Sequence, residues 1–259
     1  MKKLRFSFLL VICAALSLSN CSTKETKTPL VIQYTMETFR LDSKGCAVDS
    51  LPCATYQVQF PVFSGLDSSV SHIIHQAITA DVSMGNPDAE GRSMQDIAES
   101  FIAEFEEFES DGMGLPSANW YYKANVSIEI LSDTLISLSV QEDFYTGGAD
   151  GGSGVYFINV DPHSGSTITL DKIFKQGYSE ALRQAGEAAF RKVREIESSE
   201  SLADAGFEFP NNAFVLNENF GFTKEGIIFY FNSYEIASYA AGPTEVVIPY
   251  MEIKDWLRK

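Results

Sequence analysis

Residues 125–160 read NVSIEILSDTLISLSVQEDFYTGGADGGSGVYFINV, and the period of their apolar positions decides the fold. Val126, Ile128 and Ile130 alternate with Asn125, Ser127 and Glu129. Strand side chains point alternately to opposite faces, so this two-residue period predicts a half-buried strand. Ser132-Asp133 turns the chain, and Ile136, Leu138 and Val140 repeat the alternation. Tyr156, Ile158 and Val160 predict a further strand, closed by the turn residues Asp161-Pro162-His163-Ser164-Gly165.

Towards the N-terminus, Ile32, Tyr34 and Met36, and then Tyr56, Val58, Phe60 and Val62, predict two more half-buried strands. Two helices follow. One carries the stripe Val70, Ile73, Ile74, Ala77 and Ile78, the other Met94, Ile97, Phe101, Phe105 and Phe108, with Gly85-Asn86-Pro87-Asp88 breaking the chain between them. Towards the C-terminus, Leu182, Ala185, Ala189, Val193 and Ile196 predict a helix, and Ile227 to Phe231 is apolar on both faces, as in a central strand. Val246 to Ile248 predicts a last strand, and Tyr250, Ile253 and Trp256 a short final helix. Strands and helices come in blocks rather than in strict alternation. The expected class is therefore α+β, an antiparallel or mixed sheet with helices packed on it, in two regions, 30–145 and 146–259.

The start of the chain has a different character. Lys2, Lys3 and Arg5 precede an apolar run from Phe6 to Leu18, too short to cross a bilayer, which needs about 20 apolar residues. Leu18-Ser19-Asn20-Cys21 then resembles a lipobox, so residues 1–20 are expected to be a lipoprotein signal peptide, with lipid carried on Cys21. Residues 21–29 form a polar tether. The expected location is the bacterial cell envelope, with the membrane reached through the lipid.

The chain has 35 acidic and 19 basic residues, a formal charge of −16, and loss of Lys2, Lys3 and Arg5 with the signal makes it more negative. Nucleic acid, which needs a basic footprint, is excluded as a partner. A cationic partner is attracted. Four cysteines are present; with Cys13 lost and Cys21 lipidated, Cys46 and Cys53 remain, and in an exported chain they suggest one disulfide pinching the loop between the first two strands.

Catalytic chemistry is sparse. His72 and His75 lie three apart on the predicted first helix, opposite its apolar stripe, and His163 sits in a turn. There is no HExxH pair, no G-x-S-x-G elbow and no S-x-x-K. Thr146-Gly147-Gly148-Ala149-Asp150-Gly151-Gly152 is no P-loop, since no Lys-Ser/Thr follows. No catalytic residue, metal ligand or cofactor is expected, although a carboxylate pair among the many acids is a route to glycan hydrolysis.

Two groups of motifs carry a family signal. The first is Asp143-Phe144-Tyr145-Thr146-Gly147-Gly148-Ala149, Tyr156 to Asp161, Ser164-Gly165 and Ile168 to Phe174. The second is Phe222 to Phe231, Tyr234-Glu235-Ile236-Ala237, Tyr239 to Gly242 and Val247-Ile248-Pro249-Tyr250. Together they resemble the PdaC/RsiV-like extracytoplasmic domain pair, with a PdaC-like N-terminal half and an RsiV-like C-terminal half. Members include the lysozyme-sensing ectodomain of an anti-sigma factor and the non-catalytic part of a peptidoglycan deacetylase. The resemblance implies a stand-alone, non-catalytic binding module for peptidoglycan or a cationic envelope protein such as lysozyme. Asp150 stands where many relatives have His. Thr146, Gly147, Gly148, Ala149 and Asp150, with Tyr234 and Tyr239, are the candidate ligand-binding residues: the glycines permit positive φ and close backbone approach, and the tyrosines offer aromatic surface. A glycan hydrolase and a scaffold for another envelope protein are the alternatives.

Overall fold

The computed structural model describes residues 29–47, 52–84, 91–110 and 119–258. The expected signal peptide, Cys21, almost all of the tether and the Gly85–Asp88 break lie outside the described residues.

β1 (Gln33–Asp42) and β2 (Ala54–Ser64) form an antiparallel hairpin, and Cys46 and Cys53 are joined by a disulfide in its connection. Next come α1 (Ser68–Asp81) and α2 (Met94–Ser110). Asp67 caps α1 by accepting the Ser69 N–H at 2.9 Å. The two helices bridge to β3 (Trp120–Leu131), which runs parallel to β2, and β4 (Ile136–Tyr145) and β5 (Gly152–Val160) then pair antiparallel, giving the order β1-β2-β3-β4-β5. The two helical stripes bury Val70, Ile74, Ile97, Phe101 and Phe105 against one face of this sheet. At the centre of that core Tyr56 stacks on Tyr122 at 4.8 Å.

Two strand expectations need correcting. Tyr34 and Met36 are exposed, because β1 is the edge strand and nothing packs over its start. Val62 is also exposed: burial alternates through Tyr56, Val58 and Phe60, then shifts phase to Pro61 and Phe63. His72 and His75 face outwards, as the helical periodicity predicts. β4 and β5 pair across the glycine stretch, which is thus a hairpin connection inside the first sheet.

The C-terminal part contains α3 (Leu170–Ile173), α4 (Ser179–Val193) and a three-stranded antiparallel sheet of β6 (Phe220–Phe222), β7 (Gly226–Phe231) and β8 (Thr244–Pro249), followed by α5 (Tyr250–Ile253). β7 is central and buried on both faces, as its unbroken apolar run predicts. α4 buries Leu182, Gly186 and Phe190, while Val193, expected inside, is exposed where the helix ends. Gly186 lets Leu216 pack close to the helix: a Cβ would come within 2.8 Å of the Leu216 side-chain tip.

Asparagines join the two parts. Asn232 accepts the Val155 N–H through Oδ1 (2.9 Å) and donates to the Val155 carbonyl through Nδ2 (3.1 Å), completing the outer edge of β5 as a neighbouring strand does. Asn159 donates to the Phe220 carbonyl at 2.7 Å, and the Phe222 N–H reaches the Ser137 hydroxyl at 3.0 Å. No helix among the described residues is long and apolar enough to cross a membrane.

Candidate functional site

The end of α1, the inner faces of β4 and β5, the glycine connection and the turn after β7 enclose a cleft of about 660 Å³. Glu142 lies in its wall, 6 % exposed, at the inward-facing position that follows Ile136, Leu138 and Val140 in β4. Its Oε2 accepts the Tyr122 hydroxyl at 2.9 Å, and the Tyr156 hydroxyl faces the same carboxyl. Burial pushes the Glu142 pKa up, and the hydrogen bonds from Tyr122 and Tyr156 oppose that rise. Asp81, on the last turn of α1, lines the cleft and accepts no hydrogen bond from the described residues. Its pKa is pushed up to about 7, first by burial and then by the charge of Glu142. Burial and the same negative charge raise the pKa of both Tyr56 and Tyr122.

The opposite rim is aromatic. Tyr234 and Tyr239 stack at 5.3 Å and line the cleft. Tyr234 is 73 % exposed and has φ of 68°, a left-handed conformation unusual for a bulky residue. The turn that holds it is closed by the Glu235 N–H on the Asn232 carbonyl (3.1 Å) and by the Asn232 N–H on the Glu235 carboxylate (2.9 Å). The strain at this exposed aromatic is thus held by polar contacts on both sides of it. Tyr239 opens a short helical turn, Tyr239–Ala241. Just beyond it, Arg194 from the end of α4 donates to the carbonyls of Ala241, Gly242 and Pro243 and to the Thr244 hydroxyl.

Asp150, Tyr234 and Tyr239 therefore share one cleft, and Gly151 and Gly152 line it too. Thr146, Gly147, Gly148 and Ala149 do not line it; they form the turn outside it, tied down by the Tyr145 hydroxyl on the Gly148 carbonyl at 2.8 Å. The glycines divide the two roles expected of them. Gly147 and Gly148 have φ of 94° and 90°, whereas Gly152 provides space, since a Cβ there would lie 2.3 Å from the Phe144 ring.

Asp81, Glu142 and Tyr156 do not appear among the sequence-derived candidates. The signal for Glu142 was present: a charged residue in phase with three core positions of a strand is a buried charge. Asp81 continues the helical row Val70, Ile74, Ile78 in the same way.

The residues that line the cleft include three carboxylates (Asp81, Glu142 and Asp150) and four aromatic rings (Phe144, Tyr156, Tyr234 and Tyr239), and no Lys, Arg or His. None of the ion pairs among the described residues involves these carboxylates.

Comparison with known proteins agrees with this architecture. Residues 48–153 match the family described as deacetylase PdaC, and residues 171–251 match a protein family of unknown function, DUF3298. The chain carries both regions, in the order its motifs imply. A crystal structure of a DUF3298 family member from Bacteroides fragilis NCTC 9343 is similar with a TM-score of 0.70 and 22 % identity, covering 89 % of this chain and 95 % of that one. A DUF3298 family protein from Pseudomonas aeruginosa PAO1 gives a TM-score of 0.60 and 18 % identity over the same shares. Likeness at these identities establishes the fold. No curated protein sequence is significantly similar to the chain.

Proposed function

We propose that this chain, with its PdaC region followed by its DUF3298 region, is a non-catalytic binding module of the bacterial cell envelope, held to a membrane by lipid on Cys21. Its cleft receives a lysine or arginine side chain of a cationic envelope protein, with lysozyme as the reference partner.

The observation that carries this reading is the composition of the cleft: carboxylates and tyrosine faces with no cation of the chain's own. With no cation beside them, the half-buried Asp81 and the buried Glu142 are costly as anions, which is why both titrate high. An entering ammonium or guanidinium group relieves that cost, and the faces of Tyr234 and Tyr239 add cation–π attraction. The overall charge of −16 draws such a partner in from a distance.

The test is a calorimetric titration of the chain with lysozyme at low and moderate salt. The reading expects saturable one-to-one binding that weakens with salt but persists, and that falls at least about tenfold, worth about 1.4 kcal/mol, in Asp81→Asn/Glu142→Gln. Binding that vanishes at moderate salt, or that ignores the double substitution, means the charge only steers and the cleft takes no part.

A second reading has its own observation. A carboxylic acid with a pKa of about 7, beside a second carboxylate, is the pairing that glycan hydrolysis uses. Release of reducing ends from peptidoglycan, lost in Asp81→Asn, decides for that reading; binding of peptidoglycan fragments without turnover places the glycan as ligand instead.

A further inference from the structure

A second cavity, of about 650 Å³, lies beside the cleft and differs from it in chemistry. Its walls include Ile73, Ala77, Ile158, Val160, Ile168 and Phe220. Ala80 and Asp81 line both cavities, so the two adjoin at the end of α1. Along β5 they extend from Ser153 in the cleft to Val160 in the second cavity. At about 3.3 Å per residue this is about 23 Å, of which the stretch from Tyr156 to Ile158, about 10 Å, lies between the edge positions that Asn232 and Ile168 occupy.

The edge of β5 within this span is only partly satisfied. Val155 turns its N–H and carbonyl outwards, where Asn232 takes both and Asn219 adds a bond to the carbonyl at 2.7 Å. The Asn159 carbonyl also points outwards and accepts the Ile168 N–H at 2.8 Å. In an antiparallel pair every second residue turns its main chain the same way, and β4 and β5 pair without a bulge, so Phe157 also presents its N–H and carbonyl outwards. No partner among the described residues takes them. Phe157 lines the second cavity, and its ring is held from another side by Gly221, where a Cβ would lie 2.2 Å away. The result is an open main-chain donor and acceptor at Phe157, between an acidic–aromatic space and an apolar one.

We propose that these adjoining cavities take an extended peptide segment of the partner, which adds to the edge of β5 at Phe157, places a lysine or arginine in the Asp81/Glu142 cleft and an apolar side chain in the Ile73/Phe220 cavity. This rests on the cationic-partner reading and specifies it. Main-chain bonding to a strand edge supplies affinity, and two unlike pockets supply the choice of sequence. Side chains two apart on a strand point the same way, so the basic and apolar residues of the segment are separated by one residue.

The experiment uses a labelled six-residue peptide containing lysine, alanine and leucine in succession, titrated into the chain by fluorescence anisotropy alongside lysozyme itself. Saturable binding is expected, with at least tenfold loss when norleucine replaces the lysine or when the alanine nitrogen between the two is methylated. Ile73→Glu, at a position 39 % exposed and so tolerant of charge, weakens the leucine peptide several-fold but not the peptide with alanine in place of leucine. An N-methylated peptide that binds as well, or an Ile73→Glu chain that weakens both peptides alike, overturns the proposal. Lysozyme binding that depends on Asp81, with no peptide binding, overturns the extended segment alone. Absence of both overturns this proposal and the reading beneath it together.

Discussion

Phe190, at the centre of the C-terminal core, meets the rings of Phe207 and Phe209 edge-on at 5.0 and 5.4 Å, with Phe214 and Phe231 around them. Tyr56 and Tyr122, at the centre of the N-terminal core, stack on each other, but they carry hydroxyls into the interior, one to the Val82 carbonyl at 2.6 Å and one to Glu142. Both cores are aromatic, yet one is dry and the other contains polar wiring. The difference teaches where the two parts place their work. The phenylalanine core fixes the shape of a wall on which Tyr234 and Tyr239 stand, and the tyrosine core holds a carboxylate at the cleft.

Substitution in the dry core should have the largest effect on stability. Phe190→Ala opens a cavity among four rings and is expected to cost about 3–5 kcal/mol, read by chemical denaturation. A cost under about 1 kcal/mol breaks the comparison, because that core is then not tightly packed.

Arg194→Ala comes next. Three carbonyls and the Thr244 hydroxyl lose their donor, with an expected cost of about 2–3 kcal/mol. Tyr239 loosens with the loop, so lysozyme affinity falls while the titration of Glu142 stays unchanged. Equal disturbance of both places Arg194 in the general fold rather than at the rim.

In the wired core, Tyr122→Phe removes one hydrogen bond to a buried carboxylate and should cost about 1–3 kcal/mol. That bond lowers the Glu142 pKa, so its loss moves the pKa further up, measurable by carbon-detected carboxyl titration. A fall, or no change, separates Tyr122 from the site.

The smallest expected effect is a gain. Asp81 titrates at about 7 in the folded chain and near 3.8 when free, so between those values the folded state binds more protons than the unfolded state. Its contribution to stability is full below the free value and is lost as pH rises through about 7. Asp81→Asn should therefore stabilise the chain by about 1 kcal/mol at pH 8 and flatten its stability between pH 4 and 7. A destabilised Asp81→Asn chain at pH 8 means the carboxylate already has a favourable partner in the free protein.

The period of the sequence makes most of the fold legible. Residues 125–160, the two helices and the unbroken run at 227–231 form the elements their patterns place there, because burial on one face imposes those patterns, although Ile73 and Phe108 in the helical stripes and Tyr156 in β5 are exposed. Tyr34 and Val62 were less legible: whether an alternating strand is covered depends on its place in the sheet and on local phase, which are long-range facts. At the site, motif reading reaches Asp150, Tyr234 and Tyr239, which the fold brings together although more than eighty residues separate the first two. It misses Asp81 and Glu142, which belong to no motif and stand out only as charges in phase with the core.

The account stands on a cation entering beside Asp81, and the most direct measurement counts protons. Calorimetry of lysozyme binding at pH 7, in buffers of different ionisation enthalpy, gives the protons released per complex. A carboxyl with a pKa of about 7 is about half protonated at that pH, and a cation drawn against it expels the proton. The account predicts release of about half a proton per complex, absent in Asp81→Asn. Binding with no proton release, or with release that survives Asp81→Asn, contradicts it.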